Sequence, residues 1–292
     1  MAALERKTVS AFILEKTGVN KMNENKWFVA DDNGDIIAHD MGEMKYIASF
    51  SGGKDSAATI ILAHLHNEPL DEIIFSEVMF DENTSGEYPA QMDFIKNTCA
   101  PLFEKWGYKF TILHSDKTFM DMYNHIVTRS KTPERNGKKS GFPMGGRCFI
   151  NSRCKIPPIK QYLKTAGEVT QYIGIAADER EREKRLKNNQ ISLLCKYGLT
   201  EKDAQGLAAE YGLLSPIYNY AKRGGCFFCP NATIKELRYL YNNNFELFQK
   251  LKELENKPDV IGAVFDTRKK RSLTDIERKI KYENQQEELL FY

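Results

Sequence analysis

Residues 49–56 read Ser49-Phe50-Ser51-Gly52-Gly53-Lys54-Asp55-Ser56, with an apolar run on either side. These types in this order suit a phosphate. Two glycines let the backbone approach an anion closely and aim successive N–H groups at it. The start of the following helix adds partial positive charge, and Lys54 adds a full one. Ser51 and Ser56 can donate hydroxyl hydrogen bonds. Asp55 would repel a phosphate directly, so its expected work is to help hold Mg²⁺ or to orient Lys54. The loop is not a Walker A motif, which needs four residues between its first glycine and Gly-Lys.

The second chemical feature is cysteine spacing. Cys226 and Cys229 enclose two phenylalanines, and Cys148 and Cys154 lie upstream in a chain with six cysteines in all. A Cys-x-x-Cys pair can chelate one centre, and a second pair makes a four-thiolate site the expectation. A structural zinc ion (Zn²⁺) and a [4Fe-4S] cluster both take four thiolates, and spacing does not separate them. Cys99 falls on an apolar helical face and Cys195 beside Leu193-Leu194, so both are expected in the core.

The elements that must position these groups can be read from periodicity. Tyr46–Phe50, Ile73–Phe80, Lys109–Leu113 and Gln171–Ile175 read as strands. Ala57–His66 reads as a helix apolar nearly all round. Residues 88–106 set Tyr88, Met92, Ile95, Cys99, Leu102, Phe103 and Trp106 on one helical face, with Pro101 expected to kink it. Strands alternating with helices argue for an α/β fold with a parallel sheet, whose ligands sit beyond the strands' carboxyl ends. Residues 1–44 read as a separate N-terminal β-hairpin with Asn33-Gly34 at its turn. Residues 45–195 read as the nucleotide-binding domain. Residues 196–292 read as a helical C-terminal region, with helices opening at Thr200, at the Thr233–Glu236 capping box and near Thr274. Residues 128–147 read as a long Gly/Pro/basic loop.

The loop resembles the PP-loop of the ATP pyrophosphatase superfamily, and further segments resemble the phosphoadenosine phosphosulfate (PAPS) reductase family, including its DNA-phosphorothioation members. These segments are Phe80-Asp81-Glu82-Asn83 with Gly86-Glu87-Tyr88-Pro89; Arg147-Cys148 through Cys154-Lys155-Ile156-Pro157-Pro158; Gly174 through Asp178-Glu179 with Arg182 and Arg185; and Gly225-Cys226-Phe227-Phe228-Cys229-Pro230. The resemblance runs from about residue 45 to about 255. It implies a Rossmann-like adenine nucleotide α-hydrolase domain that binds ATP, or an adenylyl sulfate nucleotide, with Mg²⁺. By it Ser49, Ser51, Gly52, Gly53, Lys54, Asp55, Ser56, Asp81, Gly174, Glu179 and Arg185 hold the nucleotide. Lys54, Asp55, Asp178 and Arg182 carry the chemistry, and Cys148, Cys154, Cys226 and Cys229 hold the cluster, which the resemblance tilts toward iron–sulfur.

Composition bounds the rest. The chain has 292 residues, 41% of them hydrophobic, and a net charge of +2, which excludes a disordered chain. No stretch approaches a membrane span, and no secretory signal is read; with so few cysteines the expectation is a cytoplasmic protein. Near-zero net charge does not imply binding to nucleic acid by overall charge, but it allows a local patch, and residues 128–155 hold eight basic residues and one acid, Glu134. Such a segment can grip a nucleic-acid backbone or only the nucleotide. The leading expectation is an enzyme that adenylates an oxygenated substrate for sulfur transfer, with nucleic acid as one acceptor class and a sulfur donor protein as partner. The alternatives are a PAPS or adenylyl-sulfate reductase, and a non-catalytic nucleotide-binding subunit. Family reductases use a cysteine near the C-terminus, and the last cysteine here is Cys229.

Overall fold

A computed structural model describes residues 44–144, 148–222, 224–266 and 271–286 in full, and the backbone of 26–30, 36–40 and 287–290. Contacts divide the chain into Met1–Met44 and Lys45–Tyr292. In the first unit β1 (Lys26–Ala30) pairs antiparallel with β2 (Ile36–Asp40), Lys26 opposite Asp40. The expected Asn33-Gly34 turn lies outside the described residues.

The second unit is mixed α/β. Its sheet contains β3 (Lys45–Phe50), β4 (Glu72–Glu77), β5 (Lys109–His114), β7 (Val169–Tyr172) and β8 (Gln190–Ile191), with β6 (Lys139–Gly141) lying elsewhere. All five sheet strands run parallel, in the spatial order β5-β4-β3-β7-β8. Numbered within the sheet that order is 3-2-1-4-5, the doubly wound arrangement whose direction of winding reverses beside the first strand. The crevice at that switch point opens between the carboxyl ends of β3 and β7. β4 is buried along its whole length, the pattern of a strand covered on both faces. The two-residue β8 carries too little pattern to be read from sequence.

Helix α1 (Lys54–Leu65) begins one residue after the paired glycines, and Ser56 through Ala63 are all buried. It is sandwiched between the sheet and helix α8 (Glu201–Glu210), whose Ala204 and Ala208 share its core with Ile60, Ile61 and Leu193. The expected domain boundary at residue 195 has this helix on its far side, packed into the nucleotide-domain core.

The helix expected over 88–106 runs as α2 (Pro89–Phe94), a π-helical turn (Ile95–Cys99) and α3 (Ala100–Lys105). Pro101 has no N–H for the carbonyl four residues back. The chain accommodates it by widening the preceding turn, where the Ala100 N–H donates to the Ile95 carbonyl.

Residues 125–140 are more ordered than the loop expected there. The Val127 N–H donates to Lys138 O, Gly137 N–H to Val127 O and Ser140 N–H to His125 O, and β6 pairs parallel with β9 (Val260–Gly262). Between these elements lie α4 (Phe119–Asn124), α5 (Ile156–Thr165), α6 (Arg180–Glu183) and α7 (Leu193–Lys196). The C-terminal helices are α9 (Ile234–Asn243), α10 (Phe245–Leu254) and α11 (Leu273–Leu290). They pack around an aromatic core that includes Phe119, Phe142, Phe228, Phe248 and Phe265. Among the described residues no helix is long and apolar enough to cross a membrane.

Candidate active site

The glycine loop turns at the switch point. Gly52 has φ +73°, and a Cβ there would lie 2.1 Å from Gln91 Nε2. The Gln91 amide donates to the Gly52 carbonyl and also binds the Ser215 hydroxyl, which fixes the turn from outside. Gly53 is the N-cap of α1 and carries no side-chain cap, so the helix's first N–H groups face the crevice. Within the loop the Ser51 N–H and hydroxyl both bond Ser56 Oγ, at 3.1 and 3.0 Å, and Ser56 Oγ–H donates to Gly53 O. Here the two serine hydroxyls brace the loop. Ser49 Oγ accepts from Gln171 Nε2 at 2.7 Å, tying β3 to β7.

Lys54 is almost wholly buried. Its ammonium lies 2.7 Å from Asp55 Oδ1 and 3.0 Å from Glu201 Oε2. Burial opposes its charge, but the two carboxylates outweigh that and hold its pKa above the ordinary lysine value. Asp55 is raised above the usual carboxylate value, first by burial, with Lys54 opposing and Glu201 and Glu179 adding repulsion. Of the two roles expected for Asp55, orienting Lys54 is the one made by contact here. The Lys54 N–H donates to the Tyr218 hydroxyl at 2.9 Å, so a tyrosine oxygen sits where a phosphate oxygen could sit.

The far wall comes from the segment after β7. A Cβ on Gly174 would lie 2.7–2.9 Å from backbone atoms of Asp55 and Ser56, so Gly174 permits the two strand ends to close on α1. Asp178 Oδ1 accepts from the Glu201 N–H at 3.1 Å and thereby sets the helix that presents Glu201. Glu179 accepts from the Ala176 N–H and pairs with Arg182 at 2.5 Å; Arg182 and Arg185 are exposed. Asp81 is directed elsewhere. It pairs with Lys250 at 3.2 Å and caps the Asn83 N–H, in a separate open cavity with Thr118 and Asp121.

Three of the four proposed cysteine ligands come together. Cys148, Cys226 and Cys229 line a cavity of about 350 Å³ with Asn151 and Lys155. It adjoins the glycine loop, since a Cβ on Gly224 would lie 4.0 Å from Ser51 O. Cys226 is held by a bridge to Glu87, and the Phe227 N–H donates to Gly86 O. Burial, then Glu87, pushes the Cys226 thiol well above its ordinary value. Glu87 is raised too, first by burial; its Oε1 is 3.9 Å from Lys155 Nζ and makes no hydrogen bond.

Cys154 lies apart from the other three. It is fully buried, its thiol faces the Thr118 carbonyl at 3.8 Å, and burial raises it to about 11. The reason is local: residues 151–155 form a π-helical turn whose geometry turns Lys155, not Cys154, toward the cavity. Among the described residues no three His, Cys, Asp or Glu side chains are close enough to hold a single metal ion. Cys99 is in the core and Cys195 bonds the Ile175 carbonyl at 3.4 Å.

Glu201, Tyr218 and Gln91 were not singled out from sequence, and Glu87 was named only as part of the family-like segment Gly86-Glu87-Tyr88-Pro89. Of the first three only Glu201 had a signal, as the residue after the Thr200 cap.

No protein-family model matches the chain. Among curated proteins it is 29% identical over 218 residues to an uncharacterized protein, MJ0973, of Methanocaldococcus jannaschii. That alignment covers 69% of this chain and 45% of the relative, so the chain spans less than half of that protein's length. Among solved structures it is similar to the U34-tRNA thiolase NcsA from Methanococcus maripaludis with its [4Fe-4S] cluster. The identity there is 15% and the TM-score 0.36, over 81% of each chain. The site is therefore read from its own residues.

Proposed function

We propose that the chain is a PP-loop enzyme, of the kind that resembles the PAPS reductase family, which uses ATP to adenylate an oxygenated substrate for replacement of that oxygen by sulfur. The observation that carries this reading is one juxtaposition. A glycine loop with a buried lysine, at the switch point of a parallel sheet, adjoins a cavity lined by three cysteines.

In this reading the triphosphate lies over Gly52 and Gly53. A phosphate oxygen takes the Tyr218 hydroxyl's place on the Lys54 N–H, and the Lys54 ammonium leaves its carboxylates for the phosphates. Asp55, Glu179 and Glu201 are the carboxylates that would hold the Mg²⁺ that accompanies the nucleotide. The substrate oxygen attacks the α-phosphorus and pyrophosphate leaves. A sulfide-level sulfur from a donor then attacks the activated carbon, and AMP leaves with the oxygen. Negative charge builds on the phosphates, and preorganised donors at the helix start stabilise it.

Cys148, Cys226 and Cys229 would hold a [4Fe-4S] cluster, which when bound supplies a site for sulfur beside the nucleotide. Lys155 contributes a positive charge to the same cavity, favouring thiolate over thiol.

The test is pyrophosphate release from ATP in the presence of candidate acceptors. The wild type releases it and Lys54→Ala does not. Failure of the wild type to bind any adenine nucleotide would overturn the reading. Anaerobic purification with metal analysis and a visible spectrum tests the cluster; Cys226→Ser loses the chromophore, and a colourless, iron-free wild type refutes it.

A further inference from the structure

On the other side of the segment 148–155 from the cysteines lies a second cavity, also about 350 Å³, which the adenylation reading does not use. It is lined by His125, Thr128, Arg129, Ser140, Phe149 and Arg153, with no acidic side chain among its lining residues. Neither Arg129 nor Arg153 is in an ion pair among the described residues. Two guanidiniums facing one cavity without a carboxylate repel each other, an arrangement that asks for an anion. Guanidinium forks match phosphate oxygens two at a time.

The cavity is built on fixed backbone. The Ser140 N–H and hydroxyl both donate to the His125 carbonyl, at 2.9 and 3.2 Å, and Ile126 bridges Lys139. Arg129 follows two residues after Val127, the last bonded position of this strand pair, and Arg153 stands on the π-helical turn. The segment divides its side chains between two cavities. Cys148, Ile150, Asn151 and Lys155 line the cysteine cavity, while Phe149 and Arg153 line this one. Lys131, Arg135 and Lys138 lie in and beside the turn that joins the paired segments, all exposed.

We propose that this cavity binds a phosphodiester of a polynucleotide strand, and that the strand reaches the cysteine cavity across the segment 148–155. A free phosphate would be satisfied by the cavity alone. A strand supplies a phosphate to Arg129 and Arg153 and further ones to Lys131, Arg135 and Lys138. The proposal rests on the sulfur-transfer reading in one respect only, that the strand's reacting base is the oxygenated acceptor.

The experiment is fluorescence anisotropy of a labelled single-stranded RNA of about 20 nucleotides with the full-length protein, without ATP, over a series of salt concentrations. The double variant Arg129→Ala/Arg153→Ala should bind at least tenfold more weakly. Each lost phosphate contact on a single strand removes about 0.7 from the slope of log affinity against log salt, so loss of the one phosphate that both arginines hold should lower the slope by about 0.7. Both side chains are exposed, and an unchanged melting temperature shows that the variant folds. Wild-type affinity and slope in the double variant overturn the proposal. So does inorganic phosphate that displaces the RNA at an equal concentration of phosphate groups, which would make the cavity a free-phosphate site. A wild type that releases no pyrophosphate, yet binds RNA through the two arginines, overturns the adenylation reading and leaves this site standing.

Discussion

Adding one methyl group at Gly174 should destabilise the protein, and adding the same group at Gly206 should stabilise it. A Cβ on Gly174 would lie 2.7 Å from Ser56 N and 2.8 and 2.9 Å from Asp55 C and O. Ordinary carbon contacts begin near 3.4 Å, so the segment after β7 must move about 0.7 Å away from the start of α1. The opposing atoms are backbone, and no side-chain rotation relieves them. Overpacking of this kind costs about 1–3 kcal/mol. At roughly 2–4 °C per kcal/mol for a domain of this size, Gly174→Ala should melt about 2–12 °C below the wild type.

Gly206 sits inside α8, exposed, with nothing within 4 Å of its would-be Cβ. Alanine there improves helix propensity by about 0.5–1 kcal/mol and raises the melting temperature by about 1–4 °C. Both substitutions remove the same glycine freedom from the unfolded chain, so opposite signs isolate the contact. Thermal unfolding by circular dichroism measures both. ATP titration calorimetry adds a second readout, because the displaced atoms belong to the loop; Gly174→Ala should weaken ATP about tenfold and Gly206→Ala not at all. A Gly174→Ala protein that melts at or above the wild type would refute the close approach of β7 to the loop.

Further outcomes follow from single contacts. Thr200→Ala removes the capping box of α8, in which Thr200 Oγ accepts from the Asp203 N–H, and should cost about 1 kcal/mol in urea unfolding; an unchanged midpoint counts against the cap. Glu72 is opposed by burial, but hydrogen bonds from Thr111, Lys109 and Tyr162 outweigh it and hold its pKa below the usual Glu value. A lowered carboxylate stabilises the fold above its unfolded pKa, and that contribution is lost as pH falls through the folded one. Acid titration of stability should therefore show a loss below the usual Glu range, and Glu72→Gln should flatten it; an identical acid limb in the variant contradicts the assignment. In metal-free native protein at pH 8, the exposed Cys148 should be alkylated first, while Cys99, raised by burial to about 12, and Cys154 should be protected. Mass spectrometry that finds Cys154 labelled as fast as Cys148 would contradict the placement of the π-helical turn.

What could be read from sequence here is what is local in the chain. The glycine loop is legible because Gly52, Gly53 and Lys54 act through the backbone between them and the helix they open. The capping boxes at Thr200 and Thr233 are legible for the same reason, each closing over three residues. Groups that bond the loop from a distance are not. Glu201 reaches Lys54 across 147 positions and Tyr218 reaches its N–H across 164, and no spacing rule connects them. The cysteines mark the boundary between the two cases. Cys226 and Cys229 lie in one turn and face one cavity, as a Cys-x-x-Cys pair leads one to expect. Cys148 and Cys154 are also close in sequence, but a π-helical turn intervenes, and its side-chain phase differs from that of an α-helix or a strand. Counting residues groups Cys154 with the other three cysteines; the turn gives that direction to Lys155. The consequence is chemical as well as geometric. A site of three cysteines and a lysine carries less negative charge than one of four cysteines. The same segment turns Arg153 to its other side, so the element that withholds a thiolate from one cavity supplies a cation to the next.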